Sequence, residues 1–214
     1  MDAHRLDERL AWARNRVARH AGVDADAYRP DGPLKPLAGS NRFLRIPALF
    51  TNGAGATSHP ASFGNAICYG HFDHAYTRPG DYLVQPGLTA FIAVQERLQP
   101  VVCVRTNATV TLRRPIAPVD IGTNQYGGTP APSTKLILEE WPASMLGMAT
   151  AGTSHAGLPN DTVLSQWTVL LPSCASTTIA PGDLLATEGI NKGHVISAEH
   201  TYMGWRLIVR QASA

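Results

Sequence analysis

The chain has 214 residues, a formal net charge of +2 and only 16% charged residues, with 19 Gly and 16 Pro. This length can bury one large core or two small ones. The charge is too small to argue for a nucleic-acid binder, and no apolar stretch approaches the ~18–20 residues of a membrane span.

Leu6, Leu10, Ala13, Val17 and Ala21 step at helical spacing and predict a helix over residues 3–21. Asp2 is the expected N-cap and Gly22 the stop. A charged, helical start is not the pattern of a secretory signal. The other faces carry Arg5, Arg9, Arg14, Arg16 and Arg19, and Trp12 stands off the apolar stripe. One reading is a solvated face with local pairs such as Arg5 with Glu8. The other is a docking face on which Trp12 is covered by another subunit. The candidates for docking are Arg5, Arg9, Trp12, Arg16 and Arg19, with Phe43 from the segment that follows.

That segment, 23–65, is dense in breakers, including Pro30, Gly32, Pro33, Pro36 and Pro47, and reads as an extended arm and loop. Phe43, Leu44 and Ile46 are its expected anchors. A strand is expected over residues 66–72. Then comes Pro79-Gly80-Asp81-Tyr82-Leu83-Val84-Gln85-Pro86-Gly87, whose P-G-D-x-L-x-x-x-G pattern returns 102 residues later as Pro181 to Gly189. Gly80, Asp81, Gly87, Gly182, Asp183 and Gly189 are read as structural turn residues. Glycine supplies positive φ, and aspartate bonds to the backbone of its own turn. Short strands follow at 89–95, 101–105 and 108–112, then a strand at 135–142 expected to end at Pro142. Further strands are expected at 164–172, 184–186, 194–198 and 205–210.

The fold expected is mainly β: two small antiparallel barrel or sandwich units of SH3-like kind, with an N-terminal helix and long arms and loops. The repeated turn and the similar strands after it suggest internal duplication. The boundaries expected are 1–22 for the helix, 23–65 for the arm and loop and 66–115 for the first β unit. Residues 116–160 would be long loops with one strand, and 161–214 the second β unit.

Residues that could carry chemistry are few. His71-Phe72-Asp73-His74 is the densest cluster, but no third metal ligand stands at a familiar spacing. Ser154-His155 lies in a Gly-rich loop without the G-x-S-x-G elbow or a marked acid. No phosphate-binding glycine motif occurs. The three cysteines, Cys68, Cys103 and Cys174, are odd in number and lack C-x-x-C spacing, so they read as reduced, buried thiols. The expectation is a non-enzymatic protein with no catalytic, metal or cofactor residues.

With these residues in view, the chain resembles structural proteins of tailed bacteriophages that form the neck or collar, the head-to-tail connector. The resemblance rests on three places. One is the helix and arm, from Tyr28-Arg29-Pro30 through Asn41-Arg42 to Ile46-Pro47-Ala48. Another is Tyr76 to Val84 with Phe91 to Gln95 and Arg105 to Val110. The third is Trp141 to Gly147 with Trp167 to Pro172 and the closing turn motif. It implies a homo-oligomeric ring of sixfold or twelvefold order in the virion neck, assembled in the host cytoplasm. The implied partners are the portal protein and tail or neck proteins, with possible non-specific contact to packaged DNA and no membrane. A tail-tip or baseplate adaptor shares the same physics, and a soluble β-barrel that binds a small ligand or acts as an enzyme remains the alternative class.

Overall fold

The computed structural model describes residues 3–52, 66–116, 133–147, 165–174, 177–188 and 192–212. One helix, α1 (Ala3–Ala21), precedes twelve strands. Six strands close the first barrel: β1 (Val23–Tyr28), β2 (Arg42–Thr51), β3 (Ile67–His71), β4 (Tyr82–Gln85), β5 (Leu88–Val94) and β6 (Val101–Arg105). Six more close the second: β7 (Ala108–Ile116), β8 (Ser133–Gly147), β9 (Gln166–Leu171), β10 (Leu184–Thr187), β11 (Lys192–Thr201) and β12 (Gly204–Gln211). Every pairing is antiparallel, and the barrels are joined through Thr106-Asn107.

The two barrels are the same object built twice. Around the first the strand order is β1-β2-β3-β6-β5-β4, and around the second it is β7-β8-β9-β12-β11-β10. The likeness reaches single residues. Gly80 and Gly182 sit at φ +96° and +92°, where a side chain would be strained. Each begins a matching exchange: Gly80 N donates to Ile92 O and Ile92 N to Asp81 O, while Gly182 N donates to Val195 O and Val195 N to Asp183 O. Each of the strands so engaged carries a bulge just beyond, between Ile92 and Val94 in β5 and between Val195 and Ser197 in β11. The bulge adds twist where a small barrel must bend its sheet to close.

The expected boundaries shift accordingly. Within the breaker-rich segment 23–65, residues 23–52 are no free arm, because they supply β1 and β2 of the first barrel, while residues 53–65 lie outside the described residues. In β1, Ala25 and Ala27 point inward while the aspartates point out, a period-two pattern written in residues too small to stand out. The strand at 108–116, expected to end the first unit, opens the second. The strand expected to stop at Pro142 runs on to Gly147, and Pro142 takes a place opposite Thr109. So parts of the expected 116–160 loops are ladder. Residues 117–132 and 148–160 of those loops lie outside the described residues.

The core has two parts. Inside the first barrel lie Ala25, Ala27, Ile46, Ala48, Cys68, Phe72, Leu83, Ala90, Ile92, Val101 and Cys103. The second cluster fills the second barrel and continues onto the outer face of the first through Tyr82, Phe91, Ala93 and Val104. That is why Ala90 to Ala93 is buried on both faces. Tyr82 sits in edge contact with both Phe91 and Trp141, with ring centroids 6.0 and 6.1 Å away, and its hydroxyl donates to Pro142 O at 2.8 Å. The connection between β1 and β2 reaches across as well. Pro33 O accepts from Glu139 N at 3.0 Å and from the Trp141 indole at 2.7 Å, and Lys35 N donates to Glu139 O at 2.9 Å. The two barrels are held as one block by a shared core and a backbone strap.

Candidate functional site

Asp81 and Asp183 are the most buried charged side chains described, at 0% and 1% residue exposure. Each does two jobs. Each carboxylate caps its own turn: Asp81 Oδ2 accepts from Arg78 N and Asp183 Oδ2 accepts from Ala180 N, both at 2.9 Å. Each also receives a two-pronged arginine from the end of the barrel's first strand. Arg29 donates Nε and Nη2 to Asp81 at 2.9 and 2.7 Å, and Arg114 donates the same atoms to Asp183 at 2.7 and 2.9 Å. The spare reach of each guanidinium goes to a backbone carbonyl, Tyr76 O or Thr178 O. Hydrogen bonding to the aspartate raises each arginine above its ordinary pKa, against the opposing effect of burial. The aspartates were legible as turn residues. The arginines were not, because they lie 52 and 69 positions away in sequence. Gly87 completes a two-residue Pro-Gly hairpin at φ +75°. Gly189 lies outside the described residues.

The His71–His74 cluster is spread over separate tasks. His71 Nε2 lies 3.1 Å from Thr51 Oγ1, and burial, with the charge of Arg14, pushes its pKa down. Asp73 caps the 3-10 turn His74–Tyr76 through Ala75 N. His74 is buried, with Nε2 3.7 Å from Asp7 of α1. No group of three potential metal ligands occurs among the described residues. Ser154-His155 lies outside them. A different serine–histidine pair is present: Ser173 Oγ is 2.8 Å from His200 Nε2, with the ring tilted against Trp205. Among the described residues no carboxylate orients the other ring nitrogen, so the pair lacks the third member of a charge-stabilised triad. Cys68 and Cys103 face each other across β3 and β6 inside the first barrel, and burial raises both thiols.

A depression of about 710 Å³ lies between the first barrel and the β11–β12 turn. Thr51, Tyr69, His71, Glu96 and Tyr202 are on its walls.

The docking candidates fare differently. α1 packs on β2 and β3, but not by the stripe that predicted it. Ala11 and Ala18 are the buried positions, whereas Leu6 and Val17 are 37% and 49% exposed. At about 100° per residue the Leu6–Leu10–Ala13–Val17–Ala21 stripe lies roughly a third of a turn round from the alanine face. Alanine lets the helix axis come close to the barrel, and at Gly22 an added Cβ would meet Ala48 O at 2.6 Å. Arg5, Arg9, Trp12, Arg16 and Arg19 are all exposed on the side away from the barrel, which both the docking and the solvated-face readings require. Trp12 is 63% exposed, with the Arg16 guanidinium 5.5 Å from its ring centre. Phe43 is not part of this face. It lies on the outside of β2 beneath Arg29, whose guanidinium is 4.4 Å from the ring centre. Leu44 and Ile46 do anchor in the first core.

Comparison of the chain with protein-family models, curated proteins and solved structures gives no match.

Proposed function

We propose that this chain is a non-enzymatic structural subunit of a tailed-phage neck, assembled as a ring that joins the portal and head to the tail and helps retain and conduct DNA. The observation that carries this reading is the outer face of α1: a 63%-exposed tryptophan and four exposed arginines on a helix clamped to a rigid two-barrel block. A large aromatic displayed on a rigid support is the form of an assembly contact. The block suits a load-bearing part, since one of its two core clusters spans both barrels and its most buried charges are spent on its own turns. The resemblance of the sequence to neck proteins supplies the place in the particle.

Size-exclusion chromatography with light scattering, followed by negative-stain imaging, tests this. The expected result is a ring, formed by the protein alone or on portal particles, and density for the tandem barrels at the neck in a map of the virion. A stable monomer that ignores portal particles would refute it. The groove beside His71 favours a second reading, a small-ligand protein, which predicts a saturable rise in melting temperature with a defined compound.

A further inference from the structure

We propose that the outward face of α1 is the docking site for an acidic segment of a different protein, one that presents an apolar side chain between flanking carboxylates. This rests on the structural reading above and names the chemistry of the partner.

Three observations carry it. First, the face has a shape. Trp12, Ala13, Arg16, Val17, His20 and Ala21 line a shallow, open and largely apolar depression along the helix. Such a site is filled by an apolar side chain, and tryptophan and arginine are the residues that most often anchor interfaces. Second, the face has a sign. Arg5, Arg9, Arg16 and Arg19 outnumber Glu8, the one exposed acid of the helix, while Asp7, nearer the barrel, is engaged with Leu98 N at 3.1 Å and with His74. Opposite charge steers encounter and fixes register, and like charge excludes the wrong partner. A second α1 packed against this one would set arginine against arginine. The chain segment 53–65 contains no Asp or Glu. Third, the face is preorganised. Ala11, Ala18 and Gly22 hold the helix on the barrel, so no folding cost falls on binding.

The same features weigh against other occupants. Phosphate backbone has no use for an apolar depression, and the chain's net charge is only +2. A lipid surface calls for a broad apolar face. Here the stripe is narrow, with alanine at two of its five positions, and the helix is fixed on a barrel and cannot sink into the headgroup layer.

The test uses the full chain and a labelled helical peptide with Leu at positions i, i+4 and i+7 flanked by Glu. The controls are the same peptide with Lys for Glu, a mixed-sequence DNA duplex, and vesicles of phosphatidylcholine with phosphatidylglycerol. Expected is saturable binding of the Glu peptide that weakens as salt rises, no binding of the Lys peptide, and a loss of about tenfold or more in Trp12→Ala and in Arg9→Glu/Arg16→Glu. Circular dichroism of the variants keeps a folding failure apart from a binding failure. Binding of the duplex or the vesicles in preference to the Glu peptide overturns the proposal. So does loss of self-association in the same variants, which would make the occupant another copy of this chain. Light scattering of the unmodified protein tests the ring by itself, so a failed docking site and a failed ring are read separately.

Discussion

The paired clasps make a quantitative prediction. Asp183→Asn keeps the shape of the side chain but removes its charge and turns one acceptor into a donor. The native carboxylate holds Arg114 at 2.7 and 2.9 Å and Ala180 N at 2.9 Å, while its side chain is 1% exposed. Breaking a buried ion pair costs about 3–5 kcal/mol. The Arg114 side chain is 38% exposed, so water can take over part of its solvation, and the lower end, about 3 kcal/mol, applies. For a chain of this size each kcal/mol moves Tm by about 2–4 °C, which gives a fall of about 6–12 °C. Asp81→Asn should behave alike, because Asp81 is held by Arg29 and Arg78 N in the same geometry, with Arg29 33% exposed. The assay is thermal and urea unfolding followed by tryptophan fluorescence. It is completed by a double-mutant cycle with Arg114→Met, whose coupling should reach about 1–3 kcal/mol. Losses under about 0.5 kcal/mol in both aspartate variants, or strict additivity in the cycle, would refute the clasp as a stabilising unit. Two separate transitions, with each variant moving only one, would instead refute the shared core as a cooperative connection between the barrels.

Three further outcomes follow from the geometry. Removal of residues 1–21 should leave both barrels protected from hydrogen exchange. Removal of 1–27 should expose β2 and β4, because β1 pairs with both and closes the first barrel; equal protection in the two truncations would be wrong for this fold. At pH 8 an aromatic disulfide reagent should leave Cys68 and Cys103 unmodified in the native protein and react with them only after denaturation, since both are buried and their thiols are raised by burial. His71 should titrate below the ordinary value of about 6.5 by NMR. Its native pKa is depressed, so the unfolded chain binds the proton first. This contribution to stability is therefore present above about pH 6.5 and is lost as pH falls towards the lowered native value; a midpoint at or above 6.5 would contradict the burial of the ring.

What the sequence could disclose follows from which residues carried the signal. Pro-Gly-Asp was legible because a positive-φ turn admits few residues, and the structure puts Gly80 and Gly182 at that conformation. β5 and β9 were legible because apolar or β-branched residues fill them. β1 was not, since its inward side chains are alanines and its outward ones aspartates that pair with Arg42 and Arg45 across the sheet. The extension of β8 was hidden by Pro142, whose missing N–H normally argues against a strand interior. The helix was found for an incomplete reason. Its large apolar residues set the period, but close approach to the barrel selected the alanine face, and a hydrophobic stripe cannot report which of two adjacent faces has a neighbour. Arg29 and Arg114 were invisible as clasp residues, because a bidentate pair between distant strands leaves no mark in spacing.

Duplication itself separates framework from function. The Gly–Asp turn, the strand-end arginine, the exchange with the neighbouring strand and the bulge all occur in both barrels. A feature present at both equivalent places is explained by what any such barrel needs to close, so burial and charge at Asp81 or Asp183 do not single out a site. The informative features are those without a counterpart. Among the described residues, only the first barrel carries a helix on its flank, and its β1–β2 connection crosses to brace the other barrel at Pro33–Lys35. The brace is used within the chain: its backbone satisfies Glu139 and the Trp141 indole. The helix is different. Its alanine face is spent on the barrel, but Trp12, Arg5, Arg9, Arg16 and Arg19 are turned away from the barrel. Among the described residues, duplication thus narrows the search to α1, an unrepeated element whose outer face the block leaves open, and contact with another molecule should be sought there.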